Sequence, residues 1–313
     1  MRTHAAYADE LRTVDAGRTR SVALDGVECV AADGDRVFVG TRSGVRRSDD
    51  GGGSFGRVAG PDDPVTALAV GPDGTAWAGT EPSTVHRSTD GGETWAEREG
   101  LTDLPSADRW SFPPRPDTHH VRWIEVDPTD PARLYVAIEA GALVRTGDGG
   151  ETWRDRTPDG PRDTHGMTTH PDASGRAWSA AGDGFFETAD GGDSWTTAED
   201  GLRGTYCWSV AVDPGDPDRL LLSSARGPRS AHSQPAESYV YRRAGEGAWE
   251  RIDAPGLPTG RGVTRPVLAA AGPGAAVAAS DAGVFRTDDW GRSWERIAGA
   301  PDDATACRGL AVA

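Results

Sequence analysis

The sequence contains no lysine, so all 33 of its basic residues are arginine. Asp and Glu together number 49, which leaves a formal net charge of -16. A chain this acidic would repel phosphate groups, so the charge argues against a nucleic-acid partner. Acidic surfaces keep proteins soluble when high salt screens charge repulsion. The acidity and the missing lysine together indicate a halophilic protein, although a GC-rich genome alone would also deplete lysine.

Long apolar runs are also missing, and only 36% of the residues are hydrophobic. No run of 18 apolar residues occurs, so the sequence predicts no membrane-spanning helix. The first residues, MRTHAAYADELR, lack the apolar core of a signal peptide. We therefore expect a cytoplasmic location and no membrane partner.

Cysteine is scarce, with Cys29, Cys207 and Cys307 as the complete set. An odd number of cysteines in a chain that is not exported favours free thiols over disulfides. No CxxC pair and no Cys/His spacing of the zinc-binding kind is present. The sequence therefore predicts neither a metal nor a cofactor.

Glycine is abundant at 42 residues, and many of these glycines belong to one repeated motif. Its shared form is S/T-x-D-x-G-x-S/T-W, with Phe replacing Trp once. Glycine and proline in this abundance favour many short strands joined by tight turns. The strong copies are RSDDGGGSFGRV (47–58), RSTDGGETWAER (87–98), RTGDGGETWRDR (145–156), ETADGGDSWTTA (187–198) and RTDDWGRSWERI (286–297).

The motif has a structural interpretation. Its Asp can accept hydrogen bonds from backbone N–H groups of a turn, its Gly residues permit positive φ, and its aromatic residue can pack beneath the hairpin. A residue that recurs in every unit belongs to the scaffold more often than to catalysis or calcium binding. The motif resembles the Asp box, or BNR repeat, of sialidase-like propellers. The motif aspartates are Asp50, Asp90, Asp148, Asp190 and Asp289.

Two weaker copies raise the number of motifs to seven. RTVDAGRTRSVA (12–23) keeps Asp15 and Gly17, and YRRAGEGAWERI (241–252) keeps Trp249. Each motif ends a longer unit, such as VTALAVGPDGTAWAGTEPSTVHRSTDGGETWAERE (65–99), which contains four predicted strands. Four-stranded units repeating every ~40–50 residues are typical of propeller blades. The sequence therefore predicts an all-β, seven-bladed β-propeller of four-stranded antiparallel blades, spanning residues 1–313 as one domain.

The two ends of the chain complement each other. CRGLAVA (307–313) has the pattern of a first strand with nothing after it. AAYADELRTVDAGRTRSVAL (5–24) has the pattern of a blade that lacks its first strand. We expect the two segments to form one closing blade, because this pairing removes the open edges of the ring.

Candidate site residues lie where the first strands begin, on the face opposite the motifs. The blades align at two levels, the residue just before the first strand and the residue two positions on. The first blade has Asp25 and Val27 at these levels, and the second has Pro64 and Thr66. Polar and aromatic residues occupy the remaining arc, and an insertion, 101–119, leads into it with Trp110, Phe112 and Arg115. The predicted ligand-binding residues are His119, His120, Arg122, Asp163, His165, Tyr206, Trp208, Arg265 and Arg308.

Each candidate also has a structural alternative. Trp208 could be core between blades, and Arg122 and Arg308 could pair with neighbouring Asp residues. The histidines could form a metal site, although no ligand spacing supports one. The cysteines recur near the first strands, where small apolar residues belong.

Two functions remain open. Similar Asp-box repeats occur in photosystem II assembly factors, which bind polypeptides, and in single-domain repeat proteins of archaea and actinobacteria. This resemblance implies a binding scaffold for a small anionic or sugar-like ligand or a protein segment.

The resemblance to sialidases implies instead a glycoside hydrolase, in which Arg122, Arg265 and Arg308 bind a substrate carboxylate. Tyr206 would be the nucleophile and Asp163 the acid. The Arg-Ile-Pro motif of sialidases is absent, and no Glu is placed by sequence to activate Tyr206. Two-propeller xyloglucanases act in a cleft between propellers, and this chain has one predicted propeller.

Overall fold

The computed structural model describes residues 1–303 and 306–313 and shows seven antiparallel sheets arranged as the blades of a propeller. The innermost strand of every blade contacts the innermost strands of both neighbouring blades, and this series closes from the last blade to the first. The predicted seven-bladed fold is confirmed. We number the blades 1 to 6 from Val27 onward and call the closing blade blade 7.

Blades 1 to 3 run from the centre of the ring outward in chain order. In blade 3 a single bridge between Arg145 and Arg154 occupies the place of the fourth strand. The strands of blade 1 are Val27–Asp33, Arg36–Thr41, Gly44–Ser48 and Gly56–Arg57; those of blade 2 are Val65–Val70, Ala76–Thr80, Val85–Ser88 and Ala96–Arg98; those of blade 3 are Val121–Val126, Leu134–Ile138 and Ala142–Thr146.

Blades 4 to 6 follow the same order, and blade 5 carries one additional short strand, Gly260–Arg261. The strands of blade 4 are Thr164–Thr169, Ala177–Ala181, Gly184–Thr188 and Thr196–Thr197; those of blade 5 are Tyr206–Asp213, Asp216–Ala225, Glu237–Ala244 and Glu250–Arg251; those of blade 6 are Val267–Gly272, Ala275–Ser280, Gly283–Thr287 and Glu295–Ala298.

Blade 7 joins the two ends of the chain, as the sequence predicts. Its innermost strand is Gly309–Val312, and Arg2–Tyr7, Glu10–Asp15 and Arg18–Ala23 follow outward. The N-terminal part begins at Arg2, three residues before the predicted start at residue 5. Ala6 pairs with Gly309 and Thr3 pairs with Val312, so the C-terminal strand covers the inner edge that the N-terminal strands would otherwise expose.

The second strand is the most buried in every blade except blade 5, where the innermost strand is buried throughout. Ala76–Thr80, Leu134–Ile138 and Ala177–Ala181 are buried at every position, whereas the outermost strands are largely exposed. A blade packs against its neighbours on both faces, so its central strands carry apolar or small residues on both sides. The core therefore lies between blades, around the ring.

Irregular segments connect these strands in two places. The insertion at 101–119 contains the 3-10 turns Leu101–Asp103 and Ala107–Arg109, and the helix Pro228–His232 lies between two strands of blade 5. Within the described ranges, no helix is long and apolar enough to cross a membrane.

The repeated turns have the predicted hydrogen bonds. Asp148 accepts bonds from the backbone N–H of Thr152 at 2.9 Å and from the hydroxyl of Thr146 at 2.7 Å. Gly149 and Gly150 have φ of 71° and 82°, a conformation that a side chain would strain. Asp50, Asp90, Asp190 and Asp289 make equivalent bonds within their own turns.

The aromatic residue of the motif lies between blades, which corrects the expectation that it packs beneath its own hairpin. The indole N–H of Trp249 donates to the carbonyl of Ala198 in the preceding blade at 2.8 Å, and its ring contacts Phe185. Trp153 donates to the carbonyl of Glu99 in the same way. A hairpin of two strands has no interior of its own, so the ring takes its apolar surface from the neighbouring blade.

Of the two weak copies of the motif, one lacks the motif turn and the other keeps only the aromatic contact. Near residues 12–23 the motif turn is replaced by a two-residue turn, with φ of 46° at Ala16 and 74° at Gly17. Asp15 lies 3.5 Å from the guanidinium of Arg2 and accepts no turn N–H among the described residues. The copy at 241–252 keeps the aromatic contact through Trp249 alone.

Candidate functional site

A cavity of about 620 Å³ lies on the face of the ring where the innermost strands begin. The boxes lie on the opposite face, because three antiparallel strands separate the start of a blade from its third-to-fourth turn. The residues that line the cavity are Glu28, Arg42, Pro64, Thr66, Glu81, Phe112, Arg115, His120, Arg122, Glu139, Trp208, His232, Arg265, Ala306, Cys307 and Arg308.

A β-bulge at the start of five innermost strands selects which side chains reach this region. In blade 3, Val121 pairs with Ile138 and Trp123 with Ala137, so Arg122 stands unpaired between them. A bulge re-aims the side chain of the extra residue. The bulged residues in blades 1 to 5 are Glu28, Thr66, Arg122, His165 and Trp208.

The bulge corrects the alignment of blade 1. Val27 pairs with Thr41 and is fully buried, and the bulged residue that matches Arg122 is Glu28. The sequence alignment was therefore one residue out of register at Val27 and Asp25. In blade 6, Val267 pairs regularly with Ala279, and the polar group of that blade is Arg265.

A second repeated position also contributes to the cavity, and the sequence reasoning missed it. In blades 1 to 4 the residue after the second strand donates its backbone N–H to the carbonyl of the residue before the innermost strand, as Glu139 does to His120. Arg42, Glu81 and Glu139 line the cavity from this position. An alignment of the ends of the second strands in the sequence would have revealed this position.

Glu139 anchors one side of the cavity. Its Oε2 lies 2.8 Å from Nε2 of His120 and 3.5 Å from Nε of Arg122. Burial opposes ionisation of this carboxyl group, but the His120 hydrogen bond and the charge of Arg122 outweigh it and lower the pKa of Glu139 to about 2. Glu139 is therefore charged and holds Arg122 in place.

Trp208 lies at the centre of the polar arc. The guanidinium carbons of Arg265 and Arg122 lie 4.0 Å and 4.8 Å from its ring centroid. The rings of His165 and His232 contact it at 4.5 Å and 5.4 Å. Trp208 is buried, as the structural alternative expects, and it also forms part of the cavity wall.

Arg265 is the cavity arginine whose charge is least compensated. Its Nη1 donates to the carbonyl of Ala231 at 3.2 Å, and its buried Nε has no hydrogen-bond partner. No carboxylate lies within 4 Å of it in the part of the chain that the structure describes. Burial and the nearby charge of Arg122 lower the pKa of Arg265 to about 10.

The other cavity arginines are paired. Arg308 lies 2.6 Å from Glu28, which also contacts Arg42 at 3.1 Å. Arg115 of the insertion makes two hydrogen bonds to Glu81, at 3.0 Å and 2.6 Å. The pairing expected for Arg122 and Arg308 is therefore present, with Glu instead of Asp as partner.

A chain of polar groups leads away from the cavity at His232. The hydroxyl of Tyr206 is 2.9 Å from Nε2 of His232 and 3.4 Å from Nε2 of His165. Asp163 accepts the backbone N–H of Ala140 at 2.8 Å. Burial and the charge of Glu139 raise the pKa of Asp163 to about 6, and burial lowers the pKa of His165 to about 4.

The predicted candidates thus separate into three sets. His120, Arg122, Trp208, Arg265 and Arg308 line the cavity, and Asp163, His165 and Tyr206 adjoin it without lining it. His119 lies outside it, where its ring contacts Trp110 at 5.6 Å and its Nδ1 accepts the N–H of Ser83 at 3.4 Å. The sequence reasoning missed Glu28, Arg42, Glu81, Glu139 and His232.

The cysteines take no part in disulfides. Cys29, Cys207 and Cys307 are all buried and free, as expected. Burial raises the pKa of each thiol, that of Cys307 to about 12. These thiols are therefore protonated at neutral pH and behave as small apolar groups.

No family model matches this sequence, and no curated protein matches it. Solved structures do resemble it. A GH74 enzyme of Niastella koreensis gives a TM-score of 0.71 at 18% identity over 95% of this chain and 52% of that one. An ancestral GH74 enzyme gives 0.68 at 16% identity, over 89% and 39%. The chain therefore spans about half the length of the first GH74 enzyme.

Another similar structure is YCF48 bound to D1 peptide. Its TM-score is 0.60 at 14% identity, and the match covers 95% of this chain and 83% of that chain. YCF48 of Cyanidioschyzon merolae gives 0.59 at 15% identity, over 90% and 86%. At these identities the likeness shows the seven-bladed fold alone.

Proposed function

We propose that this propeller is a binding scaffold that holds an anionic ligand, either a small sugar-like molecule or a protein segment, in the cavity at its channel rim. The observation that carries the proposal is Arg265, a partly buried cation whose buried Nε has no hydrogen-bond partner and which has no carboxylate partner in the described residues. Because an uncompensated buried charge is costly, an anion that reaches Arg265 gains a strong, charge-assisted interaction.

The charge of the cavity supports this proposal. Five arginines and three glutamates line it, although the whole chain carries a net charge of -16. A concave site with the opposite sign to its surroundings concentrates anions. Guanidinium groups also match the geometry of carboxylates.

The shape and apolar surface of the cavity limit the ligand. Its volume of about 620 Å³ suits a small molecule or a short peptide segment. Trp208 and Phe112 supply aromatic surface, and Glu28 and Glu81 can accept hydrogen bonds from hydroxyl or amide groups. The structural neighbour YCF48 is bound to a D1 peptide, which supports a polypeptide as one ligand class.

A thermal-shift screen tests the proposal. The panel contains small carboxylates, sugar acids and short peptides, each paired with its neutral amide, alcohol or sugar at constant ionic strength. We expect at least one anion to raise the melting temperature saturably while its neutral partner does not. Equal shifts by charged and neutral partners, or no shift from any member of the panel, would contradict the proposal.

A glycoside hydrolase is the second candidate. It is favoured by Glu139 and Asp163, neighbouring carboxyl groups whose pKa values are moved apart, to about 2 and about 6. The sialidase version finds no support, because the hydroxyl of Tyr206 bonds to His232 and contacts His165 instead of a Glu. Binding is the better supported function, because Asp163 does not line the cavity.

A fluorogenic glycoside panel separates the two candidates. If Asp163 acts as the acid, hydrolysis falls as pH rises through about 6, because the carboxyl group loses its proton. Asp163→Asn would then abolish turnover. We expect no turnover that depends on Asp163 at any pH.

The resemblance to Asp-box repeat proteins also belongs to this proposal. The five turns with internally bonded Asp residues support it. We infer further that residues 1–313 form one propeller domain of a halophilic, cytoplasmic protein of the archaeal type, and that it binds neither nucleic acid nor membrane.

A further inference from the structure

Three electron-rich groups converge behind the cavity wall. The carboxylates of Glu139 and Asp163 and the imidazole of His165 each place one ligand atom within 4.8 Å of the others. Oδ2 of Asp163 lies 3.6 Å from Nε2 of His165, which is longer than a hydrogen bond. The three groups come from blades 3 and 4, so their proximity depends on the packing of those two blades.

His165 presents a lone pair to this cluster. Its Nδ1 lies 2.7 Å from the carbonyl oxygen of Cys207, which can only accept, so Nδ1 carries the hydrogen. Nε2 is then an acceptor. The hydroxyl of Tyr206 has one hydrogen, and its shorter contact is to His232. His165 is 1% exposed, so no solvent donor satisfies its Nε2.

Asp163 offers a second acceptor, on a carboxylate that is 26% exposed. Its Oδ1 accepts the N–H of Ala140, whereas its Oδ2 accepts no hydrogen bond from the described residues. The carboxylate fits because the residue beside it is Gly182: a Cβ there would lie 2.0 Å from Oδ2. Gly182 occupies the position that Glu139 takes in blade 3, so blade 4 gives up a side chain and leaves space for Asp163.

Glu139 connects this cluster to the cavity. Oε2 of Glu139 is held by His120 at 2.8 Å, and the residue lines the cavity. An ion held by Glu139, Asp163 and His165 would thus lie at the edge of the cavity, where a further coordination position can open. Arg122 stays on the side of Oε2, 3.5 Å away.

We propose that Glu139, Asp163 and His165 bind a divalent transition-metal ion of the zinc class. One imidazole nitrogen and two carboxylate oxygens form a ligand set that Zn²⁺ and Co²⁺ accept, with metal–ligand distances of roughly 2.0–2.2 Å. Such distances place the donors of a tetrahedral site about 3.4 Å apart. The pair at 3.6 Å nearly meets this requirement, and because all three ligand atoms lie within 4.8 Å of one another, Glu139 closes the remaining gap by a shift of at most about 1.4 Å.

Two features fit the donor set to a metal. The carbonyl of Cys207 fixes the tautomer and orientation of His165, as the outer partner of a metal-bound histidine does. The charge of the ion also offsets two neighbouring carboxylates. The alternative occupant of the space is a proton shared between Asp163 and His165.

Cobalt titration of the full chain tests the inference. Protein stripped with a chelator receives Co²⁺ alone, and visible d–d absorption and melting temperature are followed. We expect a band that saturates at one equivalent, a higher melting temperature, and displacement of the band by Zn²⁺. Absence of the band and no change in melting temperature would overturn the metal and leave the shared proton.

Three variants localise the ion. Asp163→Asn keeps an acceptor for Ala140, and His165→Asn keeps a donor for Cys207, yet each removes a metal ligand. We expect both to fold, by circular dichroism, and to bind Co²⁺ at least tenfold more weakly. Asp172→Asn, an exposed Asp two residues from His170, is the matched control and should bind normally. Equal binding by all variants would overturn the site. Because the probe is the metal alone, failure here leaves the test of anion binding unaffected.

Discussion

The pKa of aspartate shifts in opposite directions on the two faces of the ring. On the box face, Asp148 receives hydrogen bonds from Thr152 and Thr146 of its own turn, which lower its pKa to about 2. On the rim face, burial and Glu139 raise the pKa of Asp163 to about 6. The box carboxylates are satisfied locally and repeat from blade to blade, whereas the rim positions carry Glu, Thr, Arg, His or Trp depending on the blade.

This difference separates scaffold from site. The turn bonds of Asp50 and Asp289 are made within five residues of sequence, so each blade can form them alone. The environment of Arg265 comes from Trp208 and Ala231 of the neighbouring blade, so it exists only when the blades are packed. Repetition marks the parts that build the ring, and departures from it mark the parts that can bind.

Deletion of residues 307–313 should have the largest effect on the ring. It removes the innermost strand of blade 7 and exposes the edge that Ala6 and Thr3 form. We expect an aggregation-prone product with little soluble, folded protein, measured by yield and circular dichroism. Arg308→Ala is the control, because it leaves the strand in place and should fold normally with weaker anion binding. A deletion variant that melts like the full chain would contradict the role of this strand.

Salt should change the melting temperature of the whole protein. The direction of that change distinguishes net charge repulsion from local ion pairs. Because the net charge is -16, screening by salt from low to molar concentration should raise the melting temperature. Ion pairs such as Arg98–Glu151 weaken over the same range, but exposed pairs contribute little. A melting temperature that stays flat or falls with salt would be inconsistent with a halophilic protein.

Asp148→Ala tests the box face on its own. The variant loses the acceptor for the N–H of Thr152 and for two hydroxyl groups, and should lower the free energy of unfolding by about 1–2 kcal/mol. Ligand binding per folded molecule should not change. Asp15→Ala, at the copy without a motif turn, is the matched control and should cost less. Loss of binding at unchanged stability would mean that the box is functional.

The sequence was sufficient for the fold because each blade repeats its own local signals. Turn residues such as Asp148 and Gly150, and the complementary ends of the chain, predict the number of blades and the closure. The register of blade 1 failed by one residue, since a bulge at Glu28 adds a residue without any local signature. Sequence alignment assigned the bulged level correctly in blades 2 to 5, where Thr66, Arg122 and Trp208 lie.

The candidate site was only partly predictable, because several of its members are defined by neighbours in space. Glu139 and Arg42 stand at a repeated position after the second strand, which alignment of those strands would have revealed. His232 belongs to a helix inside an insertion of blade 5, and no repeat marks it. Its contact with Trp208 follows from how that insertion folds back over the cavity.

Direct titration of an anion identified by the thermal-shift screen into wild type, Arg265→Gln and Arg42→Gln tests the central claim. Both variants remove one cavity arginine, but Arg42 is 68% exposed at its side chain and already paired with Glu28. Loss of charge-assisted hydrogen bonds of roughly 1.5–3 kcal/mol should weaken binding to Arg265→Gln by about 10- to 150-fold. Arg42→Gln should stay within a few-fold of wild type. Equal affinities for Arg265→Gln and wild type, with both folded, would contradict the account.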